Sequence, residues 1–518
     1  MEMLADEVLS PAGAPVHLAD EFRQLRRRLR HAREQLDADD NTTVTAGGDD
    51  TVPGTRQLRA PGGLDAVPMP AAPKRAHVVE NTRHTFAALQ RQYEASLTAI
   101  RTQYDPEFNP DKPVAPITFA QARDLLPVDV PTAFVQFCLT RDRGYAFVLT
   151  RDDAFAVPLP GLSASEGWEL ANAWYRSYYG RPRAEWEAAV PELLRPVSER
   201  AIRPVVKALD GLNVRRLILT PHKGLHVFPL HACTLADGTI LADRFDEIGY
   251  VPSLSILLRC ARRERPDPTN VTLIENPTGD LVFTEVEGAG VHTLYPGAGV
   301  HRRSAASRDG LLKAAGTTHV FHYSGHAGFD PNDPLRSALV LQDRNDPTHW
   351  LTLRHAFTEL HLRSASLAVL NGCESGMVKP DQVDEYFGLS AGFLFAGASC
   401  VVSTLWSVWD LSSALLSLRF HTLWRTKGMA PLTALTEAQR WLRGLTGRAV
   451  RADVLPWLLG LMQTDEQRGL CTAAAERYAQ THPDTHPFAS PVHWAPFTAA
   501  GLSYHLPERP WAFGGTSS

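Results

Sequence analysis

Apolar residues near the start of the chain recur with helical spacing on both sides of a polar stretch. Apolar positions one or two turns apart predict a helix over residues 21–37, and steps of three and four residues predict another over 77–105. Residues 38–74 between them are rich in Asp, Gly, Thr and Pro, which is typical of a flexible linker. Arg56 and Arg59 lie in this linker, where a protease specific for basic residues could cut.

Further along the chain the apolar pattern changes to short runs that predict strands. Runs of Val, Phe and Ala over residues 133–139, 144–149 and 154–159, separated by charged turns, predict an antiparallel meander. A long helical region follows at 165–209. Strands then alternate with helical segments, which predicts a largely parallel sheet covered by helices on both faces. These strands are expected at residues 216–220, 271–274, 318–323, 366–370 and 399–405.

The stretch 386–409 has no charged residue and is long enough to span a bilayer. Glycines interrupt it, serine and threonine dilute it, and its second half has the composition of a core strand. A helix followed by a buried strand therefore explains the stretch better than a membrane span, and no membrane partner is expected.

The composition is typical of a globular protein and by itself excludes few classes of function. The chain has 518 residues, 44% hydrophobic and 21% charged, with a formal net charge of −5. This near balance gives no basic footprint for nucleic acid. The six cysteines form no C-x-x-C pair and no dense disulfide framework, so we expect free thiols and a cytoplasmic protein.

Reactive side chains follow two of the predicted strands. The segment Thr-His-Val-Phe-His-Tyr-Ser-Gly-His-Ala-Gly ends around His326, and Leu-Ala-Val-Leu-Asn-Gly-Cys-Glu-Ser-Gly ends around Cys373. Sites in parallel sheets form beyond the carboxyl ends of strands, and neighbouring strands lie about 5 Å apart. If the two strands are neighbours, His326 can accept the proton of Cys373 and activate it as a nucleophile.

Small residues around this pair suit an oxyanion hole. The backbone amide of Cys373 and one from Gly325 or Ala327 are the candidate donors, and Gly372 would keep the loop open. The alternative is that the cysteine is a buried apolar residue and the histidine is structural. A nucleophile elbow would need Ser where Glu374 stands. No metal-ligand spacing, P-loop or dinucleotide fingerprint is present, so no cofactor is expected.

The two segments resemble the catalytic motifs of the CHAT family, which belongs with caspases, separases and gingipains. Further matches in the same order extend the resemblance over residues 115–504. It implies an α/β caspase-hemoglobinase fold with two lobes, the first containing the antiparallel meander and the second catalytic, and it assigns the catalytic dyad to His326 and Cys373. Family members often carry helical repeats upstream, and no repeat period is visible here.

The expected organisation combines this resemblance with the apolar pattern. It consists of a helical segment, a linker, a second helical segment, the first lobe, the catalytic lobe and a tail. Their ranges are residues 1–37, 38–76, 77–114, 115–265, 266–505 and 506–518.

Resemblance to separases also suggests a substrate pocket. Leu-Trp-Ser-Val-Trp-Asp at 405–410 is similar to a separase stretch whose acidic residue binds a basic substrate side chain, which places Asp410 in that role. The alternative is that Asp410 caps a helix beginning at Leu411. Trp409 and Glu374 are further pocket candidates, whereas Trp406 is expected in the core.

These observations predict a regulated cysteine endopeptidase that makes limited cuts in a partner protein, with Arg or Lys preferred before the scissile bond. The resemblance suggests bacterial defence or cell-death signalling, with an activating partner bound through the N-terminal helices. Two alternatives remain open: a non-catalytic interaction scaffold, and an acyl transferase that uses the same thiol.

Overall fold

The computed structural model describes most of the chain. It covers residues 18, 21, 22, 24–26, 28, 29, 32, 75–104, 117–263, 267–330, 333–377 and 388–504, with the backbone alone over 75–83. The predicted linker at 38–74, with Arg56 and Arg59, lies outside the described residues, as does the tail at 506–518. The chain divides into one unit of Met1–Leu58, Ala66–Pro116 and Phe357–Glu359, and a second unit of Arg59–Asp65, Ile117–Ala356 and Leu360–Ser518.

The first unit contains the two predicted helical segments. The described positions between 18 and 32 are helical, and helix α1 spans Arg75–Gln103. Phe22 and Ile100 are fully buried against each other, and the rings of Phe22 and Tyr93 stack at 5.1 Å. Leu25 and Leu89 form a second buried cluster. The predicted helical stripes therefore pack together within this unit.

The second unit is built on a sheet of eleven strands. In sheet order the strands are β3-β2-β1-β4-β5-β14-β13-β12-β8-β6-β7. Their bounds are β1 Thr132–Leu139, β2 Gly144–Leu149, β3 Ala154–Leu159, β4 Arg216–Thr220, β5 Glu247–Tyr250, β6 Val271–Glu275, β7 Gly299–Arg302, β8 Val320–Ser324, β12 Leu367–Asn371, β13 Cys400–Thr404 and β14 Phe497–Gly501.

Most neighbouring strands of this sheet are parallel, in two blocks. β1, β4, β5 and β14 run in one direction, whereas β13, β12, β8, β6 and β7 run in the other. β2 and β3 extend the first block as an antiparallel meander, as predicted. Every residue of β4, β6, β8, β12, β13 and β14 is buried, so both faces of the central sheet are covered. The predicted α/β fold with a mostly parallel sheet is confirmed.

Helices connect the strands of the second unit. The predicted helical region at 165–209 is interrupted at Pro182 and contains a π-helical turn at Ser198–Ile202. A second π-helical turn spans Val450–Val454. The α-helices are α2 Phe119–Asp124, α3 Ala164–Gly180, α4 Arg183–Val197, α5 Arg203–Leu209, α6 Leu241–Arg244, α7 Leu254–Arg262, α8 Val282–Leu294, α9 Arg308–Ala315, α10 Leu353–Thr358, α11 Leu389–Ala396, α12 Asp410–Lys427, α13 Pro431–Gly444, α14 Gly447–Ala449, α15 Leu455–Leu461, α16 Asp465–Thr481 and α17 Pro491–Trp494.

The connection between β8 and β12 contains a small second sheet. In it β9 Ala327–Gly328, β10 Ala338–Leu339 and β11 Leu351–Thr352 pair antiparallel. Short 3-10 helices complete the unit at Lys223–Val227, Leu230–Ala232, Arg303–Ala305, Pro334–Arg336 and Pro347–His349.

The uncharged stretch contains helix α11 and strand β13, as its composition predicted. Over the described ranges of the chain, none of the helices combines the length and the apolar character needed to cross a membrane.

Candidate active site

Three adjacent strands end at the same edge of the sheet and are followed by reactive side chains. β8 lies between β6 and β12, and all three are parallel. Asp280 follows β6, His326 follows β8 and Cys373 follows β12. The neighbour relation expected for the His326 and Cys373 strands is therefore present, and Asp280 joins them from the third strand.

His326 is held by a carboxylate. Its Nε2 lies 3.0 Å from both carboxylate oxygens of Asp280. An ionised carboxylate only accepts hydrogen bonds, so Nε2 carries a proton and donates it. In the neutral imidazole this leaves Nδ1 with a free lone pair. Asp280 thus fixes both the orientation of the ring and the nitrogen that can act as a base.

Asp280 is itself stabilised as an anion. It accepts a hydrogen bond from Thr278, and Arg344 Nη1 donates to its Oδ2 at 3.0 Å. Burial alone would raise the pKa of Asp280, but Thr278, His326 and Arg344 outweigh burial and lower it. Sequence reasoning missed this residue, because Asp280 stands in an ordinary polar turn. The one available signal was that this turn follows a predicted strand.

Cys373 has a different set of partners. Its Sγ lies 3.2 Å from Oγ of Ser407, in the β13–α12 loop (residues 405–409). Burial raises the pKa of the thiol, and the carboxylates of Glu374 and Asp410 raise it further, whereas hydrogen bonds from Ser407 and from the Val408 backbone lower it. The structure describes both Cys373 and His326, and no hydrogen bond joins these two side chains. Such contacts often tighten only when substrate binds.

The backbone around the pair changes one prediction. The N–H of Gly325 donates to the carbonyl of Asn371 at 3.2 Å, which removes Gly325 from the candidate oxyanion donors and leaves Ala327. A Cβ at Gly372 would lie 2.9 Å from both Ala327 Cβ and Gly325 O. Glycine at this position therefore lets the Cys373 loop (residues 372–377) approach the His326 loop (residues 325–330) closely.

A buried polar cluster fixes the ends of these strands. Glu287 of α8 accepts hydrogen bonds from Ser324 Oγ at 2.6 Å and from Asn371 Nδ2 at 2.7 Å. Its other oxygen lies 3.2 Å from His322 Nε2. Ser413 of α12 donates to Asn371 Oδ1 at 2.7 Å. All five side chains are buried, so β8, β12 and two helices are joined directly behind the site.

Two of the three predicted pocket residues, Trp409 and Asp410, lie at the end of the β13–α12 loop and the start of α12, whereas Glu374 lies in the Cys373 loop. Trp409 is 44% exposed, whereas Trp406 is fully buried, as expected for a core residue. The guanidinium of Arg183 stacks 3.7 Å above the Trp409 ring, and Trp409 Nε1 donates to Glu187 at 2.9 Å. This side of the site is therefore contributed partly by α4.

Asp410 does not cap a helix that begins at Leu411. Helix α12 begins at Asp410 itself, and its N-cap residue is Trp409, without a side-chain capping bond. The capping alternative is therefore wrong in register. Partial burial raises the pKa of Asp410, while His326 and Arg183 act to lower it, so its carboxyl group lies within electrostatic reach of His326.

Glu374 faces the interior of the protein. Its Oε1 accepts a hydrogen bond from Tyr178 at 2.9 Å and its Oε2 accepts one from the Phe329 backbone at 3.3 Å. Burial raises the pKa of Glu374 to about 7, although these hydrogen bonds lower it. Its backbone has a φ of 61°, a left-handed conformation that is uncommon for glutamate. In the described ranges no group of three or more His, Cys, Asp or Glu side chains is arranged to hold a metal ion.

Comparison with known proteins identifies the family. The model of the CHAT domain matches residues 191–502, more than half of the chain. The chain belongs to the CHAT-domain family. The family expected from the two motifs is thereby confirmed, and the chain is related to cysteine peptidases.

Similar proteins include separases and a gingipain. Separin of Emericella nidulans is 26% identical over 235 residues, which are 44% of this chain and 10% of separin. Separase of Saccharomyces cerevisiae, solved in complex with securin, has a TM-score of 0.45 and 13% identity over 71% of this chain and 32% of that one. Gingipain R of Porphyromonas gingivalis, an Arg-specific cysteine proteinase, has a TM-score of 0.35 and 10% identity over 62% of this chain and 68% of that one. The chain thus spans about a tenth of separin and a third of the yeast separase chain.

Proposed function

We propose that this CHAT protein is a cysteine endopeptidase in which Cys373 is the nucleophile and His326 the general base. The observation that supports the proposal best is the arrangement of Asp280, His326 and Cys373 after three adjacent parallel strands. A histidine whose Nε2 is held by a carboxylate, next to a loop carrying a thiol, has the parts that nucleophilic catalysis requires.

In the proposed reaction the thiol gives its proton to Nδ1 of His326 while Sγ bonds to the carbonyl carbon of the substrate. The carbonyl oxygen becomes an oxyanion, for which the amides of Cys373 and Ala327 are the candidate donors. Collapse breaks the C–N bond, and the leaving amine takes the proton from Nδ1. Water then attacks the thioester, gives a proton to His326, and releases the acid as the thiol is restored.

The raised pKa of Cys373 fits this sequence of steps. A thiol that is protonated at neutral pH needs a neighbouring base, and Asp280 stabilises the imidazolium that forms when His326 takes the proton. The proposal therefore assigns Asp280 a positioning and electrostatic role, without a proton transfer of its own.

Asp410 is proposed to select a basic side chain before the scissile bond. Asp410 is exposed at the start of α12, enough protein surrounds its carboxyl group to raise its pKa, and this group interacts electrostatically with His326, which suits a pocket next to the reacting bond. A carboxylate in this place would bind Arg or Lys through charge-assisted hydrogen bonds. Trp409 supplies an apolar surface beside it.

The wider role is proposed from the family. We propose limited cleavage of a specific partner protein in the cytoplasm, in bacterial defence or cell-death signalling, with an activating partner that binds the N-terminal helices. Neither metal nor cofactor takes part in the proposed chemistry.

A positional library of fluorogenic peptides tests the activity. Wild type should cleave peptides with Arg or Lys before the scissile bond, Cys373→Ala and His326→Ala should be inactive, and Cys138→Ala should match wild type. Asp410→Asn should lose the basic preference while retaining some turnover. Turnover that persists in Cys373→Ala would refute the assignment of the nucleophile.

The non-catalytic scaffold remains the second candidate, because burial and two carboxylates keep the pKa of Cys373 above that of an ordinary thiol. Alkylation with a peptidyl chloromethyl ketone separates the candidates. If the protein is a scaffold, the reagent should modify Cys373 no faster than Cys138. If it is a peptidase, the reagent should modify Cys373 selectively. Product analysis in the presence of an added amine distinguishes hydrolysis from acyl transfer, which would use the same thiol.

A further inference from the structure

A tyrosine from the N-terminal half of the second unit reaches the loops around Cys373. Tyr178 lies near the end of α3, before residue 191 where the family match begins. Its side chain is fully buried. The ring packs edge-to-face against Trp186 at 5.0 Å and against Tyr179 at 4.7 Å, so its position does not depend on its hydroxyl group.

The Tyr178 hydroxyl group makes two hydrogen bonds, one in each direction. It accepts from the backbone N–H of Ser407 at 2.9 Å and donates to Oε1 of Glu374 at 2.9 Å. Ser407 belongs to the β13–α12 loop and contacts the Cys373 thiol through its own hydroxyl group. Glu374 is the residue after Cys373. One phenol oxygen therefore joins the two segments that enclose the thiol.

Glu374 extends this connection to a third segment. Its second carboxylate oxygen accepts from the N–H of Phe329, three residues beyond His326. Glu374 makes these contacts from a left-handed backbone conformation, with a φ of 61°. An unfavourable backbone conformation of this kind persists when the surrounding contacts hold it in place.

We propose that Tyr178 is a positioning residue for Cys373, which couples the β13–α12 loop to the Cys373 loop and, through Glu374, to the His326 loop. The catalytic role of this coupling rests on the proposed function. The coupling itself can be measured on the Cys373 thiol without catalysis. Removal of the phenol oxygen leaves the Ser407 N–H without its acceptor and Oε1 of Glu374 without the donor Tyr178.

The coupling can be measured through the charge of Glu374, because this charge depends on Tyr178 and acts on the Cys373 thiol. The ionisable groups around it are Tyr175, Tyr178 and Tyr179 of α3 and the thiol of Cys373. Burial raises the pKa of each tyrosine, so none of them titrates near neutral pH. The hydrogen bond from Tyr178 lowers the pKa of Glu374, and ionised Glu374 raises the pKa of the thiol.

The other ionisable groups around Cys373 are Asp410, Tyr323 and the proposed base His326, whose own partners do not include Tyr178. Loss of the Tyr178 hydroxyl group should therefore keep Glu374 neutral to about one pH unit above its pKa of about 7, so that a larger fraction of the Cys373 thiol is ionised within that window. At the higher pH where the thiol itself titrates, Glu374 is ionised with or without this hydrogen bond. The field of Asp410 on the thiol should stay the same.

The test is the pH dependence of iodoacetamide alkylation at Cys373, followed by mass spectrometry of its peptide in the full chain. Tyr178→Phe should raise the alkylation rate about twofold near pH 7.5 and leave it unchanged above about pH 9, since a hydrogen bond to a carboxylate is worth about one pKa unit. Tyr504→Phe, which also removes one buried phenol bond, from Tyr504 to the Leu125 carbonyl at 3.0 Å, should leave both rates unchanged.

A double variant shows whether the effect passes through Glu374. In a Glu374→Gln background, where no charge remains to be coupled, Tyr178→Phe should cause no further change in the alkylation rate. An unchanged or lowered rate near pH 7.5 in Tyr178→Phe, or the same increase in the Glu374→Gln background, would overturn the proposal. Alkylation requires no peptide turnover, so the outcome is independent of whether the protein cleaves peptides.

Discussion

Glu287 should be among the most sensitive positions for stability in the second unit. The substitution Glu287→Ala removes the acceptor of two buried donors, Ser324 Oγ and Asn371 Nδ2, and the carboxylate next to His322. Each orphaned buried donor costs about 1–3 kcal/mol. Loss of one member of a buried charged cluster typically costs about 3–5 kcal/mol in total, and we expect a decrease of that size in the free energy of unfolding.

Urea unfolding followed by tryptophan fluorescence measures this loss. Glu287→Gln keeps the side-chain length and one carbonyl oxygen for the two donors, so it should cost less than about 1.5 kcal/mol. Glu192→Ala is a matched control in the same unit, because Glu192 and its ion-pair partner Arg195 are both exposed. It should cost less than about 1 kcal/mol. If Glu287→Ala costs no more than Glu192→Ala, the reasoning from buried donors is refuted.

Three further substitutions test other contacts of the site. Asp280→Asn should lower kcat by roughly 10²–10⁴-fold with little change in KM, because an amide can present its NH2 group to His326 and reverse the tautomer; retention of wild-type kcat would contradict this role. Burial raises the folded-state pKa of Glu374 to about 7 from the 4.5 of an ordinary glutamate, so its contribution to stability is fully present below pH 4.5 and is lost as pH rises through about 7. Unfolding measured across this window should show that loss in wild type, and Glu374→Gln should abolish this part of the pH dependence. Gly372→Ala should force the Cys373 loop away from Ala327, where a Cβ would approach to 2.9 Å, and lower kcat/KM about tenfold or more, whereas Gly444→Ala, where a Cβ meets no atom within 4 Å, should match wild type.

Local sequence patterns predicted the strands well. Strands buried on both sides appear as continuous apolar runs, which is why residues 318–323 and 366–370 were recognised with errors of one or two residues. His326 and Cys373 stood out because each follows such a run among glycines. Their assignment as the catalytic pair stays a prediction, as do the oxyanion donors and the pocket.

Contacts between distant segments could not be predicted in the same way. Tyr178 and Glu374 are 196 positions apart, and Asp280 is 46 positions from His326, so neither pairing leaves a local pattern. The sequence left Gly325 and Ala327 open as alternative oxyanion donors, because the bond from the Gly325 N–H to the Asn371 carbonyl depends on the pairing of two strands. Helix α12 starts at Asp410 because the backbone of Trp409 is still extended, and helix propensities do not determine such a boundary to within one residue.

The position of β14 has a consequence for synthesis of the protein. β14 lies between β5 and β13, at the junction of the two oppositely directed blocks, yet it is the last strand of the sheet in the sequence. As the nascent chain leaves the ribosome, each block can form while its inner edge is still unpaired. Such edges are prone to pairing with other chains. Synthesis of β14 therefore ends the time during which the edges of β5 and β13 are unpaired. A chain released by a ribosome that stalls before residue 497 would keep both of these sheet edges open.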